Sequence, residues 1–321
     1  MERQNIGLPA GFRDTLFEDA AKRRTITTHL ALFFAEKGYR ELLPSTIEFL
    51  DVYSRGHQSA RQRAFRFLDR DDNLLALRAD FTPSVARIAV GPLKDEPLPL
   101  KIWYGGSVFR KTGRERGGFI ERAQIGAEMV GEGSTTSDVE ILTMMLASLE
   151  KLGMEGISVH LNHAGVFRGI VRDLHLSTKS IRALKAEIER KDVRGLAHHL
   201  NLMGVGAELQ QQLHHLSRLI GPASVLDEAL SVLANAESRS AVEQLRDIAS
   251  QLSQWRGLIT FDLTEIDDLE YYTGVMWTVF TSHLNRELGK GGRYDTLLRE
   301  FGRDLPAIGF SLSLDALAEL L

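Results

Sequence analysis

Arg122-Ala123-Gln124-Ile125-Gly126-Ala127-Glu128-Met129 is an extended segment with two unlike faces. Side chains two apart in a strand point the same way. Ala123, Ile125, Ala127 and Met129 therefore make one apolar face, and Gln124 and Glu128 stand in line on the other. The polar line reads either as a solvated strand face or as the floor of a site that receives donors.

Reading outward, Lys101 to Phe109 and Phe119 to Val130 are two strands joined by the charged, Gly-rich stretch Lys111-Thr112-Gly113-Arg114-Glu115-Arg116-Gly117-Gly118. Phe65 to Leu68 and Leu74 to Ala79 flank the polar turn Asp69-Arg70-Asp71-Asp72-Asn73, the pattern of a β-hairpin. Parity places Arg78 and Asp80 on one face at its end. Thr82-Pro83 opens a short helix with Thr as cap, stopped at Gly91. Asp14 to Lys37 has apolar residues at helical spacing, with Gly38 as a stop. Ser137-Asp138-Val139-Glu140 has the form of a capping box, and Ile157, Val159 and Leu161 alternate as a strand. Long helical patterns fill Arg168 to Trp255. Strands are expected again at Leu258–Leu263 and Tyr271–Ser282, a tight turn at Gly289–Gly292, a helix at Tyr294–Phe301, a last strand at Ala307–Phe310 and a final helix from Leu312. Strands and helices that do not alternate regularly favour an α+β fold, a mostly antiparallel sheet flanked by helices, over a doubly wound one.

The 321 residues suggest about two domains at roughly 150 residues each. The division expected is a discontinuous core of residues 1–167 and 257–321, interrupted by a helical insertion of residues 168–256. The chain has no Cys, which excludes disulfides, thiolate metal sites and a cysteine nucleophile. A net charge of -4 argues against nucleic acid as the main partner. The N-terminus has no signal-peptide pattern and no window reaches the length of a membrane span, so a cytoplasmic protein without membrane contact is expected. His198-His199 and His214-His215 lack a third ligand at metal-site spacing, and no metal or other cofactor is expected. The Gly-rich loop lacks the Gly-Lys-Ser/Thr ending of a P-loop, and there is no Gly-x-Ser-x-Gly elbow.

Taken in order, these segments resemble the core of histidyl-tRNA synthetase, a class II synthetase. Pro9-Ala10-Gly11-Phe12-Arg13-Asp14 is similar to that family's opening motif, and Leu77-Arg78-Ala79-Asp80-Phe81-Thr82 to its "LRPE-x-T". Phe109-Arg110 through Gln124-Ile125-Gly126-Ala127-Glu128 resembles motif 2, and Leu269-Glu270-Tyr271-Tyr272-Thr273-Gly274 resembles "RGLDYY". Gly291 to Asp295 matches "GGRYD", and Gly309-Phe310 to Leu317 stands where motif 3 belongs. The resemblance implies that Asp80, Thr82 and Gln124 hold an amino acid's α-ammonium. It implies that Glu128 and Tyr272, with Tyr271 beside it, face an imidazole. Arg110 and Arg293 either keep a residual phosphate or nucleotide contact or merely stabilise the sheet.

The departures from the family pattern matter most. The Glu of motif 2 "FR-x-E" is Thr112, the loop has Gly118 in place of an Arg, and the "RG" of "RGLDYY" is Asp267-Asp268. "GLER" reads Ser313-Leu314-Asp315-Ala316. Losing one preorganised donor to developing charge costs roughly 10²–10³ in rate, and reversing its sign costs more. No catalytic residue is expected, and the chain stops where an anticodon-binding domain would follow. This combination resembles the regulatory subunits of ATP phosphoribosyltransferase. That likeness implies a non-enzymatic partner of the short-form catalytic subunit, hetero-octameric by resemblance, with a homodimeric core and L-histidine as feedback effector. A histidyl-tRNA synthetase-like ligase, or a histidine sensor in another pathway, are the competing readings.

Overall fold

The computed structural model describes residues 7–55, 58–111, 119–172, 176–266 and 271–321. They divide into two compact units. One comprises Met1–Gly131, Leu297–Leu305 and Ser311–Leu321, and the other Glu132–Thr296 and Pro306–Phe310.

The first unit is built on the expected strand pair. Leu100–Phe109 and Glu121–Val130 run antiparallel, in register from Leu100 opposite Val130 to Phe109 opposite Glu121. Arg40–Glu41 adds a short parallel edge. The helix Phe17–Glu36 buries Ile26, Leu30, Phe33 and Phe34, a stripe at spacings of three and four. Its last turn closes where the Gly38 N–H donates to the Ala35 carbonyl at 2.9 Å, with Gly38 at φ +82°. The helix Leu314–Leu320 packs against it and against Glu121–Val130. A second small sheet orders Ile47–Phe49, Leu74–Leu77 and Arg66–Leu68, all antiparallel, and includes the predicted hairpin.

Two features here differ from expectation. The helix Thr82–Val90 is capped at Phe81, so Thr82 is its first residue and not its cap. The Asp80 carboxylate accepts the Thr82 N–H at 3.1 Å instead, which leaves the Thr82 hydroxyl available for another task. In the strand Glu121–Val130 both faces are buried toward the C-terminal end, because Glu128 is only 1% exposed; the solvated-face alternative fails there.

The second unit centres on Val275–Thr281. This strand is antiparallel to Ile157–His163 on one side and to Gly289–Arg293 on the other. Ile157–His163 pairs in parallel with Ile259–Asp262, which also meets the two-residue strand Ile220–Gly221. Among the described residues, six helices lie between residues 164 and 251, and a further one, Thr135–Lys151, precedes them. The turn expected at Gly289–Gly292 is a strand. Its glycines are required by close packing: a Cβ on Gly291 would sit 2.7 Å from the Gly309 carbonyl oxygen, and one on Gly292 2.5 Å from the Tyr272 ring. The helix expected at Ser137 starts at Thr135, behind Ser134, so Ser137 lies inside the first turn. Tyr271–Gly274 precedes the strand rather than opening it. The helix expected at Tyr294–Phe301 shrinks to a 3₁₀ turn, Leu298–Phe301.

Candidate functional site

In the first unit, Glu128 is the focus. Its strand carries it into the interior, where an unpartnered carboxylate would be costly. Two hydroxyls meet it: Thr82 Oγ1 donates at 2.9 Å and the Tyr104 phenol at 3.0 Å. Tyr104 stands opposite Gly126 across the strand pair, and its ring stacks on Phe81 at 4.3 Å. Burial, and then the Glu128 charge, push the Tyr104 phenol well above its ordinary range, so it stays protonated and acts as a donor. The residue after Asp80 supplies the stacking ring, and the next supplies the hydroxyl. The Asp80–Thr82 segment thus builds one wall of the Glu128 environment.

Asp80 is half-buried and pairs with Arg110 at 2.9 Å. Arg110 also donates Nε to the Ala79 carbonyl at 2.7 Å, so this arginine fastens the Ala79–Asp80 turn to the strand pair. Gln124 is half-buried in the strand pair, opposite Gly106. The structure therefore brings Asp80, Thr82, Glu128 and Arg110 into one bonded group, with Gln124 on the same strand face as Glu128, two strand repeats away. Arg78 is buried and structural. It donates to the Pro44 and Ser107 carbonyls, each at 2.8 Å, with its guanidinium 4.1 Å from the Phe81 ring centre.

In the second unit, Tyr271 and Tyr272 pack edge to face at 4.7 Å, and Tyr271 stacks on Tyr294 at 5.2 Å. Tyr272 is buried against Ala164 and Met276. Arg293 lies behind this segment and is 4% exposed. Its Nε donates to Asp138 at 2.8 Å, Nη2 to the Ser137 hydroxyl at 2.7 Å, and Nη1 to Asp295 at 3.1 Å. It also reaches the Glu132 carbonyl at 3.2 Å and the Ser134 carbonyl at 3.4 Å. All three guanidinium nitrogens are thus engaged inside the unit, which favours the stabilising reading of Arg293 over a phosphate contact. Burial pushes the Asp138 carboxyl up, and the Arg293 charge opposes it.

The segment that resembles motif 3 is bonded and packed within the first unit. Asp315, at the start of the helix Leu314–Leu320, accepts the Ala123 N–H at 3.0 Å and Arg13 at 2.9 Å, and also pairs with Arg23. Ala316 is 0% exposed, and its N–H bonds the Ser313 hydroxyl at 3.2 Å. A core alanine and a carboxylate bound in place thus occupy the segment. Thr112, Gly118, Asp267 and Asp268, the other departures, lie outside the described residues.

Sequence reading missed Tyr104: its place in the expected strand Lys101–Phe109 was legible, but the register that sets it opposite Gly126 was not. It also missed Asp138, which the capping-box pattern absorbed. No group of three or more metal-ligating side chains occurs among the described residues, and no helix among them is long and apolar enough to cross a membrane.

The family model for histidyl-tRNA synthetase matches residues 11–317. The chain is 36% identical over 311 residues to the ATP phosphoribosyltransferase regulatory subunit of Syntrophotalea carbinolica, covering 96% of this chain and 73% of that one. It is 33% identical over 321 residues to the protein of the same name from Ruminiclostridium cellulolyticum, covering 99% and 76%. The solved structure of an ATP phosphoribosyltransferase regulatory subunit/histidyl-tRNA synthetase from Bacillus halodurans C has a TM-score of 0.90 at 27% identity, covering 100% of this chain and 84% of that one. A histidine–tRNA ligase subunit from Alicyclobacillus acidocaldarius shares the fold, with a TM-score of 0.83 at 24% identity, covering 100% and 98%.

Proposed function

Because the chain belongs to the ATP phosphoribosyltransferase regulatory subunit family, on a class II histidyl-tRNA synthetase-like α+β fold, we propose that it senses L-histidine and passes that signal to a catalytic subunit. It is a regulatory, non-catalytic subunit of the enzyme that opens histidine biosynthesis. The relatives' name implies a complex with the catalytic ATP phosphoribosyltransferase. Our finer reading is a cytoplasmic hetero-octamer with the short-form catalytic subunit, built on a homodimer of the synthetase-like core that carries residues 168–256 as an insertion.

The observation that supports the histidine reading is Glu128, a buried carboxylate held by the hydroxyls of Thr82 and Tyr104, an acceptor whose chemistry suits an N–H donor. In this reading Asp80, Thr82 and Gln124 take the α-ammonium, and Glu128 and Tyr272 take the imidazole, with Tyr271 supporting Tyr272. Both ligand ends are donors, and the residues offered to them are acceptors. Ala316 and Asp267 remove the positive charge that ATP activation would need, which disfavours the ligase reading. Histidine then acts by binding one state of the assembly more tightly than the other, and its differential affinity sets how far the catalytic subunit is switched.

The test is reconstitution. Mixed with a short-form catalytic subunit, the protein should raise phosphoribosyl-ATP formation, and histidine should suppress that gain. Glu128→Ala and Tyr272→Phe should each weaken the suppression while leaving assembly intact. Unchanged histidine sensitivity in both variants would move the sensor elsewhere, and histidine-dependent pyrophosphate exchange by the chain alone would restore the ligase reading.

A further inference from the structure

The polar groups around Tyr271–Gly274 close into a ring. The Thr273 N–H donates to the Arg293 carbonyl at 2.8 Å, and the Thr273 hydroxyl accepts the Asp295 N–H at 2.9 Å. Arg293 joins Asp295 to Asp138 through Nη1 and Nε. The second Asp138 oxygen accepts the Gln244 side-chain N–H at 2.9 Å. The Gln244 carbonyl oxygen meets His163 Nε2 at 3.0 Å, and His163 Nδ1 accepts the Gly165 N–H at 3.0 Å. The Ala164 N–H donates to the Gly274 carbonyl at 2.9 Å and returns the path to its start. Tyr272 packs on Ala164 beside that return.

Each link fixes the next. His163 Nδ1 already accepts, so Nε2 carries the proton and donates. That donation orients the Gln244 amide, and the amide then presents its N–H to Asp138, whose other oxygen takes Arg293. Arg168 adds an outer bond to the Thr273 carbonyl at 3.2 Å. The segment so enclosed has no helix or strand of its own, so side-chain bonds must define its shape. A network this buried contributes little net stability compared with apolar packing of the same volume; what it supplies is a single geometry.

Gln244 sits on the helix Ala236–Gln251, within the helical run that sequence reading set apart from the pocket motifs. We infer that Gln244, bridging His163 to Asp138, is a positioning residue that sets the Tyr271–Tyr272 pair and through it the affinity for histidine. The affinity part rests on the histidine reading above; the positioning part does not.

The experiment uses the full chain labelled with 3-fluorotyrosine, whose 6 tyrosines give separate ¹⁹F resonances assignable by Tyr→Phe variants. Gln244→Met keeps side-chain length and removes both hydrogen bonds. The Tyr271 and Tyr272 resonances should shift or broaden, while those of Tyr39 and Tyr53 hold. The Kd for histidine should rise about fivefold, as expected for one lost buried link. Gln244→Leu serves if the first variant does not fold. Unmoved Tyr271 and Tyr272 resonances in a folded variant overturn the proposal, as does an unchanged Kd beside moved resonances. If histidine perturbs no resonance of the wild-type chain, the sensor reading fails, and the comparison of wild type with variant still decides the positioning role.

Discussion

Acidification should unlock the second unit through His163, and the cost follows from its surroundings. The imidazole is 7% exposed, its Nδ1 faces the Gly165 N–H, and its Nε2–H is committed to Gln244. A second ring proton would meet the Gly165 N–H head on. Burial holds the pKa down from 6.5 to about 4. Between those values the unfolded chain takes up a proton that the folded chain refuses. Stability is therefore fully present above about pH 6.5 and falls as the pH drops toward 4. At roughly 1.4 kcal/mol per pH unit, the loss attributable to His163 is about 3 kcal/mol by about pH 4. Asp138 acts oppositely, since its raised carboxyl favours the folded state as protons are added. Comparing wild type with His163→Gln removes that background to first order. Urea unfolding from about pH 7.5 to about 4 should show the wild type losing about 3 kcal/mol more than the variant. Parallel pH profiles for the two proteins would refute the reasoning.

Three further perturbations have definite expected outcomes. Asp315→Ala should cost about 2 kcal/mol in urea unfolding, chiefly from the orphaned Ala123 N–H, because Arg13 and Arg23 keep access to solvent; a change near zero would show that the strand end relaxes. Gly291→Ala should lower stability by about 3 kcal/mol through its clash with the Gly309 carbonyl and the Trp277 ring, while Gly257→Ala, with open space around it, should be nearly neutral; equal melting temperatures for the pair would contradict the packing argument. Thr82→Val should cost about 1–2 kcal/mol and shrink the histidine-induced rise in melting temperature, both read by thermal shift; a full-sized histidine response would remove Thr82 from the site.

Much of the fold was legible where local pattern and tertiary need agree. The helix Phe17–Glu36 declares itself through Ile26, Leu30, Phe33 and Phe34, and the antiparallel pair Leu100–Phe109 and Glu121–Val130 through its alternation. Gly289–Gly292 misled because glycines in sequence signal a turn, whereas here they make room for rings contributed by Trp277 and Tyr272. Ser137 misled because its spacing to Glu140 fits a capping box, while the helix in fact begins behind Ser134. The site divides the same way. Asp80, Thr82 and Glu128 belong to short motifs with fixed spacing. His163 and Gln244 are 81 residues apart, and Arg293 and Asp138 155 apart, so no local pattern joins them. Only the folded chain makes each the other's partner.

The helix Leu314–Leu320 has a consequence for how this lineage can change. Ala316 is sealed in the core and Asp315 is tied to three donors, so the helix start has become part of the unit's packing. An arginine at 316 would force a guanidinium into space that alanine fills, before any gain from its charge could be realised. The helix start therefore tolerates little change: a longer or charged side chain at 316 must displace packed neighbours before it can serve any other purpose.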